Sequence, residues 1–249
     1  NSKDHVIGAS EDKTIYVWDM LASSAVRCTR NLIGPKFSVL ALAVNSHDQI
    51  ISGSGDALVN VWNTECNLNF YTLTGHTSSV TAIAVNSREQ IVSGSDDKTI
   101  RVWESGSGAL LKSLTGHAGS VDALAVNSRD QVISGSFDKT IRVWSTESGM
   151  SLRTLTGHAL GVTALVLNSK DQVVSGSQDK TIKVWDSESG VCLRTLTGHS
   201  GLIRALAITR KNLVISGSLD NTVRVWNTEN GGVCQRILAG HVMEVNALA

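Results

Sequence analysis

Short apolar segments alternate with polar turn formers along the whole chain, and the pattern repeats. Between Gly116 and Thr156 four such segments occur, VDALAV, QVISGS, TIRVW and SLRTL. Each has five or six residues rich in Val, Ile, Leu and Thr, and each is bounded by Asn, Ser, Asp or Gly, which predicts strands joined by tight turns. A helix needs ten or more residues of 3.6 periodicity, and no interval between turns is long enough. The tryptophans Trp18, Trp62, Trp103, Trp144, Trp185 and Trp226 are spaced by 44 residues and then four times by 41. The unit is therefore a repeat of four strands. One small twisted sheet cannot bury both its faces alone, so the copies are expected to stack face to face around an axis.

Gly116-His117, the run from Ser134 to Thr140 and Ile141 to Trp144 resemble the WD-repeat family of β-propellers, and the likeness recurs six times. The Asp of the Trp-Asp pair is present as Asp19 and Asp186. Asn63, Glu104, Ser145 and Asn227 replace it elsewhere. The resemblance implies an all-β propeller of six four-stranded antiparallel blades. Seven blades are usual in the family, so an incomplete seven-bladed ring, or a second chain completing it, is the alternative. Asn1 to Asp4 match the turn Asn127 to Asp130, and Val245 to Ala249 match the strand Val121 to Ala125. Pairing of Val245–Ala249 with the strand beginning near His5 is therefore expected to close the ring. Residues 1–249 read as one propeller domain, cut from something larger since the sequence starts without Met.

Composition narrows the functions. With 22 basic and 22 acidic residues the net charge is zero, so the electrostatic drive toward nucleic acid or anionic membrane is missing. The longest wholly apolar run, Val39 to Val44, is far too short to cross a bilayer. Cys28, Cys66, Cys192 and Cys234 form no C-x-x-C pair, which argues against zinc or a disulfide framework and for an intracellular, cytoplasmic protein with free thiols. No phosphate loop or metal-binding helix motif occurs, so no cofactor and no metal are expected, and a small-molecule ligand is not favoured.

Four units carry the same His, Ser, Asp and Trp at fixed spacing: His76, Ser93, Asp97 and Trp103; His117, Ser134, Asp138 and Trp144; His158, Ser175, Asp179 and Trp185; His199, Ser216, Asp220 and Trp226. A Ser-His-Asp triad is one reading. Four copies without an evident oxyanion pocket argue instead for a buried polar network linking the Gly-His corner to the indole N–H, which the family resemblance also implies. Two units depart from the pattern. One, with His241, Asp12 and Trp18, has Gly8 in place of Ser. The other, with Ser52, Asp56 and Trp62, has Pro35 in place of His.

Because the units are six trials of one backbone, positions constant among them report the fold and positions that vary are free for other uses. The Asn of the first turn is nearly constant (Asn45, Asn86, Asn127, Asn168), whereas three positions change from unit to unit. The residue before the turn Asp is Glu11, Gly55, Asp96, Phe137, Gln178 and Leu219. At the entrance of the first strand stand Ser38, Ser79, Ser120, Gly161, Leu202 and Glu244. Two residues on come Leu40, Thr81, Asp122, Thr163, Arg204 and Asn246. The resemblance places all three series on one rim of the central channel, where peptide partners bind in the family. Glu11, Glu244, Asp96 and Asp122 are acidic and only Arg204 is basic, beside apolar Phe137, Leu202, Leu219 and Leu40. These features suggest a non-catalytic scaffold that binds peptides joining a basic to an apolar residue, with Phe137 as anchor. A lectin-like or structural ring would repeat the same rim residues in every unit, and they differ.

Overall fold

The computed structural model describes all residues except 1–4, 10–11, 20–26, 34–35, 64–67, 230 and 249. The chain forms two compact units, Asn1–Thr115 and Gly116–Ala249. In the first unit, β1 (His5–Ala9), β2 (Thr14–Asp19) and β3 (Arg27–Ile33) make a three-stranded sheet. Next come two four-stranded sheets: β4 (Val39–Val44), β5 (Ile50–Ser54), β6 (Val59–Asn63) and β7 (Leu68–Leu73), then β8 (Val80–Val85), β9 (Ile91–Ser95), β10 (Ile100–Trp103) and β11 (Leu110–Leu114). The second unit has three four-stranded sheets. They are β12 (Val121–Val126), β13 (Val132–Ser136), β14 (Ile141–Trp144) and β15 (Ser151–Leu155); β16 (Val162–Leu167), β17 (Val173–Ser177), β18 (Ile182–Trp185) and β19 (Cys192–Leu196); and β20 (Ile203–Ile208), β21 (Val214–Ser218), β22 (Val223–Asn227) and β23 (Val233–Leu238). Every sheet is antiparallel with its strands in sequence order.

The turns explain the constant polar residues. The Asn127 side chain accepts from the amides of Arg129 and Gln131 and donates to the Gln131 side chain, closing the β12–β13 turn. Asp138 accepts from the amide and hydroxyl of Thr140 at 2.9 and 2.6 Å, which holds Lys139 at a positive φ of 73° in the β13–β14 turn. Bulges recur near Val121/Ala123 and Val143/Trp144.

The core lies between stacked sheets inside each unit. In the second unit Ile133, Val143 and Leu155 meet Val162, Val173 and Trp185 of the next sheet. Close stacking explains the Ser-Gly-Ser strand: a Cβ on Gly135 would stand 2.6 Å from Val162 Cγ1. Any side chain there would force neighbouring sheets apart.

The six sheets fit the expected six blades: five are four-stranded, and the first holds, among the described residues, the three strands expected of it from His5 onward, with β1 paired to β2. No strand is assigned from Val245 to Leu248, and residue 249 lies outside the described residues. Val245 is nevertheless buried, and its amide donates to the Ser218 carbonyl at 3.2 Å. Its Cγ1 would lie 2.6 Å from a Cβ on Gly217, the relation of Val162 to Gly135.

Candidate protein-interaction surface and the networks beneath it

The His, Ser, Asp and Trp side chains of the four regular repeats meet with closely similar geometry. In the fourth sheet the Trp144 indole N–H donates to Ser134 Oγ at 2.8 Å, Ser134 Oγ lies 2.7 Å from His117 Nε2, and His117 Nδ1 lies 2.7 Å from Asp138 Oδ2. An ionised carboxylate can only accept, so Nδ1 carries the hydrogen and Nε2 accepts from the serine hydroxyl. Every donor in the chain Trp144 to Ser134 to His117 to Asp138 thus points the same way. His76–Ser93–Asp97–Trp103, His158–Ser175–Asp179–Trp185 and His199–Ser216–Asp220–Trp226 repeat it with separations of 2.7–2.8 Å.

Ionisation follows from burial and hydrogen bonding. Burial, opposed by the bond and charge of Asp138, lowers the His117 pKa below its ordinary value, so the ring is neutral at pH 7. For Asp138 burial acts upward, but it is outweighed by hydrogen bonds from Thr140, His117 and the Ala118 amide, which hold the carboxyl at about 2. Asp97 and Asp179 are held at about 2 in the same way. These are the connections of a hydrolytic triad, yet Ser134 is fully buried and the indole N–H occupies its oxygen. A substrate carbonyl has no approach to that atom.

The irregular repeats are stapled differently. Trp62 still donates to Ser52 at 2.8 Å, and Asp56 accepts from the Ser54 hydroxyl and from the Leu58 and Lys36 amides, both at 3.3 Å; Pro35 lies outside the described residues. Asp12 binds the amide and hydroxyl of Thr14. Trp18 stacks on Tyr16, with ring centroids 5.6 Å apart, and stands within 2.9 Å of where a Cβ on Gly8 would lie. His241 is exposed, unlike its buried counterparts.

Above the networks, backbone rungs join two of the variable series. The amide of the residue before the turn Asp donates to the carbonyl at the strand entrance: Gly55 to Ser38 and Asp96 to Ser79 in the first unit, Phe137 to Ser120, Gln178 to Gly161 and Leu219 to Leu202 in the second, all at 2.9–3.0 Å. The third series sits beside the second, since the Ser120 hydroxyl donates to Asp122 at 2.7 Å. A fixed backbone frame thus presents interchangeable side chains.

In the second unit Phe137 is 55% exposed. Its ring edge would lie 3.2 Å, and the Gln178 carboxamide 3.4 Å, from a Cβ on Gly161, so these two side chains flank one glycine. Leu202 and Leu219 are half-buried, and Arg204 and Glu244 are exposed. In the first unit Asp96 and Leu40 are exposed. Glu11 lies outside the described residues.

Leu160 and Phe37, 45% and 56% exposed, were not among the expected site residues. They belong to a fourth variable series, one residue before the strand entrance, which also contains Ser78, Gly119 and Gly201. The same comparison between repeats would have found them. Arg101 and Arg142 likewise lie outside the expected site residues. Their guanidinium carbons lie 5.8 Å from the Trp103 and Trp144 ring centroids, while their Nε atoms are buried without a hydrogen-bond partner.

Stacked antiparallel sheets of four strands, each regular one stapled by a His-Ser-Trp chain, define a repeat propeller. The model described as WD domain, G-beta repeat matches residues 26–63, 68–104, 108–145, 149–186 and 190–227, and the chain belongs to that family, whose propellers serve generally as protein-interaction scaffolds. The WD40 β-propeller domain of Doa1 superposes with a TM-score of 0.88 at 25% identity, covering 99% of this chain and 83% of that one. Cell division control protein 4 of Candida albicans is 38% identical over 74 residues, which are 29% of this chain and 10% of that protein. The chain thus matches about a tenth of that relative's length. No helix among the described residues is long and apolar enough to cross a membrane.

Proposed function

We propose that this chain is a non-catalytic interaction module whose variable rim holds an extended peptide carrying Arg or Lys beside an apolar residue. The observation that carries this reading is the shared rung: one backbone hydrogen bond recurs from sheet to sheet while the side chain on it changes from Gly to Asp, Phe, Gln and Leu. A position required only for folding would not vary so widely. Phe137 supplies the exposed aromatic anchor that interfaces favour, and Asp122 two residues from its rung partner supplies negative charge for the basic residue. Arg204 alone is too little for phosphopeptide recognition, which uses clustered arginines. Burial of each network serine supports a role without catalysis. Exposed Cys192, a free thiol, suits a reducing intracellular compartment such as the cytoplasm. A peptide-array screen of the chain and its Phe137→Ala variant tests the proposal. Basic-apolar peptides should dominate and should be lost from the variant; a preference for acidic or phosphorylated peptides, unchanged in the variant, refutes it.

A further inference from the structure

Three consecutive sheets of the second unit carry an acid, a neutral hydroxyl and a base at one strand position: Asp122 on β12, Thr163 on β16 and Arg204 on β20. The three strands lie side by side. The Thr163 hydroxyl donates to the Ile203 carbonyl at 2.5 Å, which ties β16 to the residue beside Arg204. Asp122 is half-buried and accepts from the Ser120 hydroxyl at 2.7 Å, whereas Arg204 is exposed and its guanidinium makes no hydrogen bond or ion pair among the described residues. The first unit has Leu40 and Thr81 at this position, so the two opposite charges belong to the second unit.

Between them, in sheet order, stands an oriented aromatic ring. Phe137 sits in a notch made by two glycines. A Cβ on Gly119 of its own sheet would lie 3.2 Å from the Phe137 Cβ and 2.7 Å from the Asp138 amide nitrogen, and a Cβ on Gly161 of the next sheet would lie 3.2 Å from the ring edge. The fold does not demand glycine at the second position, since Ser38, Ser79 and Ser120 occupy it in other sheets. A side chain there would push the ring out of its place between the two sheets. Leu160, 45% exposed and adjacent to Gly161, widens the apolar surface. Taken sheet by sheet, the rim of this unit therefore presents an acid, a ring, a leucine and a base.

We infer that the ligand of this rim carries a carboxylate for Arg204, so that a basic group, an apolar side chain and a carboxylate follow one another along it. The inference rests on the peptide reading above and names the third element of that peptide. A ligand bearing only Arg or Lys meets an attractive charge at Asp122 and a repulsive one at Arg204, and like charges brought together at an interface are costly. A carboxylate replaces that repulsion by a second ion pair and fixes the direction in which the ligand lies. Its planar pair of oxygens matches the guanidinium fork, whereas a phosphate calls for clustered arginines. At about 3.3 Å per residue, an extended peptide of about five or six residues spans the three strands. An Asp or Glu side chain and a chain terminus offer Arg204 the same chemistry.

Fluorescence anisotropy with short labelled peptides tests the inference. In the first peptide Arg and Asp flank a leucine; in two others Asn or Lys replaces the Asp; a last pair lacks the Asp and ends after the leucine in a free or an amidated terminus. The Asp peptide should bind about two- to fivefold more tightly than the Asn peptide, the range of one exposed ion pair, and the Lys peptide more weakly than either. Arg204→Ala should erase the difference between Asp and Asn, and Arg204→Glu should invert the order so that the Lys peptide binds best. Asp122→Asn should weaken all three and leave their order unchanged. A gain from the free terminus assigns the carboxylate to a chain end, and a gain from Asp alone assigns it to a side chain. Because the Arg204 side chain is exposed, the urea midpoints of both its variants should match that of the unmodified chain. The inference is overturned, with the peptide reading left standing, if Arg-Leu peptides bind and weaken with Asp122→Asn but Asp, Asn and Lys at the third place bind equally or keep their order in Arg204→Glu. If no Arg-Leu peptide binds, the peptide reading falls and this inference with it.

Discussion

Asp138→Ala tests the buried network at its most consequential atom. The carboxylate accepts from the His117 ring at 2.7 Å and from the Ala118 and Thr140 amides at 2.9 Å each. The His117 side chain is 0% exposed, so without Asp138 its Nδ1–H is left with only the long contact to the Thr140 hydroxyl, at 3.5 Å. The amides sit at the exposed edge of the turn and can recover solvent. The cost therefore concentrates on the imidazole, and one buried unsatisfied donor costs about 1–3 kcal/mol. Asp56 is the internal control. It binds a hydroxyl and two amides at 3.3 Å but no buried imidazole, so Asp56→Ala should cost only about 0.5–1.5 kcal/mol. Urea unfolding followed by tryptophan emission, with the slopes unchanged, measures both. Equal losses at the two positions would refute the argument that the histidine concentrates the cost.

Three other perturbations follow from the same geometry. Stability should fall as the pH drops: the four histidines have folded pKa values below the unfolded one, so their contribution is complete above about 6.5 and lost as pH falls through the lowered value, while Asp97, Asp138 and Asp179 lose theirs between about 4 and about 2. Melting temperatures recorded from pH 8 to pH 3 should decline monotonically, and a plateau across that range would contradict it. Gly135→Ala should cost about 1–3 kcal/mol by pressing on Val162, whereas Gly106→Ala, with nothing within 4 Å, should change urea stability little. Removing Val242–Ala249 should uncover Gly217 and lower the melting temperature, and Val245→Ala should reproduce part of that loss, about 1–2 kcal/mol; an unaltered melt of the truncated chain would show that Val245 contributes nothing.

The repeat made most of the fold legible, because turn formers and a tryptophan every 41 residues leave room for four strands and little else. The His-Ser-Asp-Trp spacing was legible for the same reason: polar side chains recurring at fixed positions in apolar strands must satisfy one another. Burial was not legible where it depends on the neighbouring sheet. Leu238 occupies the same place in the sequence pattern as Leu155 and Leu196, yet it is 50% exposed against their 1% and 2%. The rim was partly legible. Variation between repeats located Phe137 and Gln178, but their convergence on Gly161 depends on stacking distance, and Leu160 stands one residue before the strand entrance, outside the three variable series.

If the fixed frame displays a peptide site of defined charge, fluorescence anisotropy of a labelled Arg-apolar peptide will read it out. Titrations with the unmodified chain should saturate, weaken as salt rises from 50 to about 300 mM as expected for screened charge, weaken again with Asp122→Asn, and vanish with Phe137→Ala. Phe137→Ala removes an exposed ring, so the urea midpoint of that variant should stay in place and separate loss of binding from loss of fold. Binding that is indifferent to salt, to Asp122→Asn and to Phe137→Ala would place the site elsewhere on the protein.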